Sequence, residues 1–307
     1  MHRSRVEQRA LPLRASSEER LLACGDDVTL QAFHSTPARR GRAPGRKLAI
    51  ILHGWEGSAD SQYVLSLGQS LFAAGLEVVR LNLRDHGATH HLNRELFHSC
   101  RLPEVVGAVK TLAGQFPGLP IVLAGFSLGG NFMLRVAAHR EARELPIERV
   151  FAVSPVLDPA RTMMTLERGF PVYHSYFVRK WCRSLAKKQL AWPDHYDFEE
   201  LLRLRSLRLM TRELVLAHTE YPTVDDYLAG YAITGDRLTT LAAPATVITS
   251  LDDPIIEAAD LANLARSPRL DIVTTSHGGH CGFLEALGGE NWIDRQVVGW
   301  LSRNPDR

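Results

Sequence analysis

A serine set between glycines, an aspartate before a proline and a histidine after a glycine pair are the residues of this chain best suited to chemistry. Ser127 lies in Gly125-Phe126-Ser127-Leu128-Gly129-Gly130-Asn131, Asp253 in Ser250-Leu251-Asp252-Asp253-Pro254, and His280 in Ser276-His277-Gly278-Gly279-His280-Cys281. A serine hydroxyl is a weak nucleophile near neutral pH. It needs a base within hydrogen-bond reach, and the base needs an acid to orient it. The three segments occur in the order nucleophile, acid, base, which is the set needed for acyl transfer through a covalent acyl-enzyme.

Each residue also has a plainer reading. Gly-x-Ser-x-Gly occurs in surface turns. What favours catalysis is that Ile121-Val122-Leu123-Ala124 runs into it as a buried strand would, and that a helical pattern leaves it from Leu128 to Ala138. A serine at a tight strand-to-helix corner is held in strained backbone geometry with its hydroxyl above the sheet edge. The Leu128 N–H, at the start of the helix, then points to where an oxyanion forms. A second donor is expected from the loop after an early strand. His53-Gly54-Trp55-Glu56-Gly57 fits, with the Trp55 N–H as donor and its side chain packing in the core or lining the acyl pocket. Asp253 is preferred as acid because it directly precedes Pro254. Asp252 is the alternative, otherwise a helix cap or loop hydrogen-bonder. His280, beyond the glycine pair, is preferred over His277.

These residues need strand ends to hold them. Val28 to Phe33 alternates as a half-buried strand, and Leu48-Ala49-Ile50-Ile51-Leu52 is the continuous apolar run of a strand buried on both faces. Further strands are expected at Glu77–Leu83, Val150–Val153, Ala245–Thr249 and Leu270–Thr274. Helices are expected at Leu65–Ala74, Leu102–Leu112, Ile255–Leu264 and Trp292–Trp300. Strands alternating with helices predict an α/β fold, a mostly parallel sheet with helices on both faces. The alternation lapses between residues 156 and 237, where aromatic and basic residues fall in helical patterns, so this stretch is expected to be a helical cap. The core is then 23–155 with 238–307, preceded by an arm or surface strand at 1–22.

Composition bounds the rest. The chain has 307 residues, 45% hydrophobic and 23% charged, with formal net charge +2. That suits a globular protein with a large core and gives no support for nucleic-acid binding. Four well-separated cysteines without a C-x-x-C pair read as reduced thiols, and no apolar leader or run of about 18 apolar residues is present. The expectation is a cytoplasmic protein, with peripheral membrane contact open. His86, His90, His91 and His98 crowd one region, but their spacing matches no closed zinc pattern, so no metal site is expected there. Cys281, beside His280, is read as packing or redox-sensitive.

The motifs together resemble the α/β-hydrolase superfamily, and more narrowly its YheT-like branch of lipases, esterases and acyl transferases. The likeness is carried by His53-Gly54-Trp55-Glu56-Gly57-Ser58, Asn82-Leu83-Arg84-Asp85-His86-Gly87, the Ser127 segment, Asp225-Asp226-Tyr227, Asp252-Asp253-Pro254 and Gly278-Gly279-His280-Cys281-Gly282-Phe283. It departs from the branch at Asp85 and through most of the cap. It implies hydrolysis of carboxylic esters, such as medium-chain or acylglycerol esters, without a cofactor. The alternatives are transfer of the acyl group to an alcohol, and a non-catalytic interaction protein on the same fold.

Overall fold

The computed structural model describes residues 2–285 and 291–303. Met1, residues 286–290 and residues 304–307, which belong to the expected arm and core, lie outside the described residues.

The chain opens with two helices, α1 (His2–Arg9) and α2 (Leu11–Ala15), and an antiparallel pair, β1 (Ser17–Ala23) and β2 (Thr29–Ser35). Alternation follows: β3 (Leu48–Leu52), α3 (Gln62–Ala73), β4 (Glu77–Leu81), α4 (Leu102–Gln115), β5 (Ile121–Phe126), α5 (Leu128–Ala138) and β6 (Ile147–Val153). Between β6 and β7 (Ala245–Ser250) the longer elements are all α-helical: α6 (Pro159–Arg168), α7 (Pro171–Ala191), α8 (Glu199–Arg203), α9 (Leu207–His218) and α10 (Val224–Gly230). Strand β8 (Leu270–Thr275) and helix α11 (Trp292–Ser302) close the described chain.

The eight strands form one sheet in the order β1-β2-β4-β3-β5-β6-β7-β8. From β4 to β8 every neighbouring pair is parallel, and the β1–β2 hairpin joins β4 antiparallel. Strands β3 and β5 are buried along their whole length, as their unbroken apolar runs predict. The two-residue period of the strand divides β3 between two cores: Leu48, Ile50 and Leu52 face α4, α5 and the β6–β7 insertion, while Ala49 and Ile51 face α1, α2, α3 and α11.

Two expectations are refined. The segment 1–22 holds an edge strand, but its first part is helical: Val6, Ala10 and Leu13, spaced four and three apart, are buried among the residues of α3. Ile255–Leu264, expected as a helix, is a loop followed by a 3-10 turn at Ala258–Asn263. The Ile255 and Ile256 N–H groups donate to the Asp253 carboxylate (2.9 and 3.0 Å) and hold it in place, the contacts of an N-cap without a helix following directly.

The inserted helices are tied to the sheet by a buried charge. Lys188, on α7, is 1% exposed and donates to Asp85 Oδ1 (2.8 Å), the Asn93 carbonyl (2.6 Å) and the Glu95 carbonyl (3.1 Å). The second oxygen of Asp85 accepts from the Phe97 N–H at 2.9 Å. Removing one partner of such a pair leaves an uncompensated buried charge, whereas replacing both by apolar residues is far milder. Urea unfolding of Lys188→Ala should therefore show a loss of about 3–5 kcal/mol, with most of it recovered in Lys188→Met/Asp85→Leu.

Candidate active site

The site begins where β5 turns into α5. Ser127 sits at the corner with φ 52° and ψ −120°, a left-handed conformation that a residue with a Cβ adopts at a cost. Neighbouring backbone enforces it. The Ser127 N–H donates to the Val153 carbonyl at the end of β6 (2.8 Å), and its own carbonyl accepts from the Asn131 N–H (3.1 Å). A Cβ at Gly125 would collide with the Gly129 carbonyl group, and one at Gly129 with the carbonyls of Leu52 and His53. The two glycines of the motif thus let β5, α5 and the end of β3 meet backbone to backbone. Asn131, fully buried, donates through Nδ2 to the carbonyls of Val156 (2.9 Å) and Tyr231 (2.8 Å), which binds the corner to both ends of the helical insertion.

The loop after β3 runs beside the serine. A Cβ on Gly54 would stand 3.1 Å from that of Ser127. His53 shapes this loop: Nδ1 donates to the Gly54 carbonyl (2.7 Å) and Nε2 accepts from the Leu83 N–H (3.2 Å). Burial, helped by nearby His86, holds the His53 pKa far below the usual histidine range, so the ring is neutral and both bonds fit one tautomer. Among the described residues no acceptor is bonded to the N–H of Trp55 or of Leu128. The Trp55 ring stacks on Phe177 (5.3 Å, 11°) and meets Trp181 edge-on (5.1 Å, 74°), so it both packs and lines the cavity. Lys180 of α7 donates to the Glu56 carbonyl at 3.0 Å. Burial raises the Glu56 carboxyl pKa to about 7, against the pull of Lys180.

Asp253 and His280 meet beyond β7 and β8. His280 Nδ1 donates to Asp253 Oδ2 at 2.9 Å and to Oδ1 at 3.1 Å, and the Asp253 side chain is 0% exposed. Asp252 does something else. It is exposed, and its Oδ1 accepts from the Gly278 and Gly279 N–H groups, both at 2.9 Å, which fixes the turn that carries His280. Ser250 Oγ pins the same turn through the Gly279 carbonyl (2.9 Å). His277 is 88% exposed and lies 3.4 Å from Asp252. For the His280 ring, burial opposes protonation, while the Cys281 sulfur when ionised and the Asp253 carboxylate favour it; the balance raises its pKa to about 10.

Ser127 Oγ makes no hydrogen bond among the described residues. The serine and the histidine turn nevertheless share an anchor: the Val153 carbonyl accepts both the Ser127 N–H and the Cys281 thiol (3.9 Å). In front of the serine is a cavity of about 110 Å³. Ser127, Leu128 and Trp55 form part of its wall, and Leu166, Phe177, Trp181 and Leu214 of the insertion another part.

The crowded histidines serve separate local ends. His86 Nδ1 donates to the Arg84 carbonyl (2.7 Å), His90 Nε2 meets Ser184 Oγ (2.9 Å), and His98 packs edge-on against Tyr221 and Tyr227. Sequence reasoning missed Lys188 and Lys180; the loop hydrogen bonds expected of Asp252 as the alternative to the acid are present, at the turn that carries His280. Lys188 had left a signal: it continues the inward row Val178, Trp181, Leu185 at helical spacing, where a lysine needs a buried partner.

A family model described as alpha/beta hydrolase fold matches residues 48–287. The putative esterase YheT of Escherichia coli (strain K12) is 27% identical over 286 residues, covering 91% of this chain and 82% of that protein. Phospholipase ABHD3 of Mus musculus is 22% identical, covering 90% of this chain and 68% of its own. Among solved structures, the Pyrococcus furiosus esterase Pf2001 superposes with a TM-score of 0.62 at 17% identity, over 94% of this chain and 90% of that one.

The close backbone contact at the corner is testable without any assay of activity. Gly129→Ala must push the Leu52 and His53 carbonyls aside, and overpacking of this kind costs about 1–3 kcal/mol. A clear drop in thermal midpoint is expected, whereas Gly114→Ala, with open space around its Cβ position, should leave the midpoint unchanged or raise it.

Proposed function

The chain belongs to the α/β-hydrolase family, and we propose that within its YheT-like branch it is a serine esterase that cleaves carboxylic esters of apolar acyl chains. The observation that carries this reading is the buried Asp253 carboxylate bonded to His280 Nδ1, on a turn anchored to the same carbonyl as the strained Ser127.

Ser127 Oγ attacks the ester carbonyl while His280 Nε2 takes its proton. The Trp55 and Leu128 N–H groups receive the oxyanion, each worth about 3 kcal/mol of barrier. His280 then protonates the leaving alcohol, and water releases the acid by the same steps in reverse roles. Asp253 keeps Nδ1 protonated and stabilises the imidazolium. The Ser127–His280 hydrogen bond forms as substrate enters, since such bonds are often loose before binding. The apolar cavity wall supports an acyl chain as the group that is bound. Residues 156–237 act as the cap over that cavity, on a core of 23–155 and 238–307 behind the segment 1–22. Family relatives named esterase and phospholipase support ester chemistry. Among the described residues no helix is long and apolar enough to cross a membrane.

A fluorophosphonate probe should label the wild type and leave Ser127→Ala unlabelled; equal labelling of both would refute the assignment. The wild type should hydrolyse p-nitrophenyl esters from acetyl to octanoyl, and Asp253→Asn should lower kcat by about 10⁴-fold.

The rate should also report the charge around His280. A raised pKa keeps the ring protonated to higher pH, so the neutral base appears later and the rising limb of kcat/KM lies above the usual histidine range. Asp253→Asn removes a carboxylate that favours the imidazolium, so the limb should move to lower pH, and a pH–rate profile of the two proteins checks it.

A further inference from the structure

Helix α7 has two unlike faces. Inward, Phe177 and Trp181 line the cavity and Lys188 is bonded to Asp85. Outward, Val172, Tyr176, Arg179, Arg183, Lys187 and Leu190 are all exposed, at steps of three or four residues. They form one straight row ~27 Å long on the outer side of the helix. Its ends are apolar or aromatic: Val172 is 60% exposed, Tyr176 47% and Leu190 81%, and Phe170, just before the helix, is 67% exposed. Its middle is three cations.

Those cations have no acidic residue near them in the sequence. No acidic residue occurs between Glu167 and Asp194. Among the described residues none of Arg179, Arg183 and Lys187 forms an ion pair; of the other exposed cations of the insertion, Arg203, Arg208 and Arg212 pair with Glu199, Asp225 and Glu213, while Arg168, Arg205 and Arg237 do not. Three free cations side by side repel one another, and a surface of opposite charge relieves that repulsion.

We propose that this outer face of α7 docks the protein on an anionic lipid surface. The row is convex and straight, so it fits a plane. The guanidinium and ammonium groups lie at the level of the phosphates, and Phe170, Val172, Tyr176 and Leu190 enter the interfacial layer, where apolar and aromatic side chains are favoured. An acidic protein would satisfy the cations but offers no reason for exposed apolar groups at both ends. Docking is a property of the outer face and does not rest on the esterase reading.

The test uses the full chain carrying Ser127→Ala, so that no lipid is consumed, and sedimentation with vesicles. Binding is expected to phosphatidylcholine vesicles with about a third phosphatidylglycerol, and not to phosphatidylcholine alone. It should be lost in about 0.5 M salt, which screens surface charge and needs no variant. Removing three cations at about fivefold each predicts a loss of about 100-fold in partitioning for Arg179→Gln/Arg183→Gln/Lys187→Gln. In the Ser127 background the same triple variant should keep its thermal midpoint and its hydrolysis of soluble p-nitrophenyl acetate. Absence of vesicle binding, or binding that the triple variant retains, overturns the proposal. Binding to immobilised poly-glutamate without binding to vesicles also overturns it, and assigns the face to an acidic protein.

Discussion

Backbone meeting backbone at the end of β5 is the constraint on which the site depends. With no side chain at Gly125 or Gly129, the carbonyls of Leu52 and His53 press directly on the first turn of α5. That contact sets the direction in which α5 leaves the sheet and brings Gly54 against Ser127. Among the described residues the N–H groups of Leu128, at the start of the helix, and of Trp55 have no protein acceptor. The positive φ of Ser127 is the local cost of this approach, and the bonds to Val153 and Asn131 offset it.

The helical insertion is held by charge at two places rather than by apolar contact alone. Lys188 fastens one part of α7 to the loop after β4, and Lys180 fastens another to the loop after β3 that carries Trp55. Between them Trp181 stands edge-on to Trp55. The cavity wall is therefore shared by two separately anchored pieces of chain, and their relative position sets its width. Charged anchors constrain direction as well as distance, which a wholly apolar contact between these helices and the sheet would not.

The α/β alternation and the loops bearing Ser127, Asp253 and His280 were legible because their signals are local. An apolar run followed by glycine, or a proline after an aspartate, states its geometry within a few residues. The choice between Asp252 and Asp253 was less so, because both sit on one turn. The structure separates them by partner: Asp253 bonds His280 itself, Asp252 the peptide groups two and one residues before it. The expected helix at Ile255 does not form, although the Asp253 side chain accepts the Ile255 and Ile256 N–H groups as an N-cap would. Lys188 and Asp85 stand 103 residues apart, and nothing in either neighbourhood names the other. In the first segment, the arginines and glutamates masked the sparse row Val6, Ala10, Leu13, which buries one side of α1, α2 and the residue between them.

The carbonyl of Val153 joins two loops. It belongs to β6, which contributes no side chain to the proposed triad, yet it receives the Ser127 N–H from one side and the Cys281 thiol from the other. The end of β6 is thus a common reference: the Ser127 corner and the turn that carries His280 are each tied to one backbone oxygen of a strand that lies between β5 and β7.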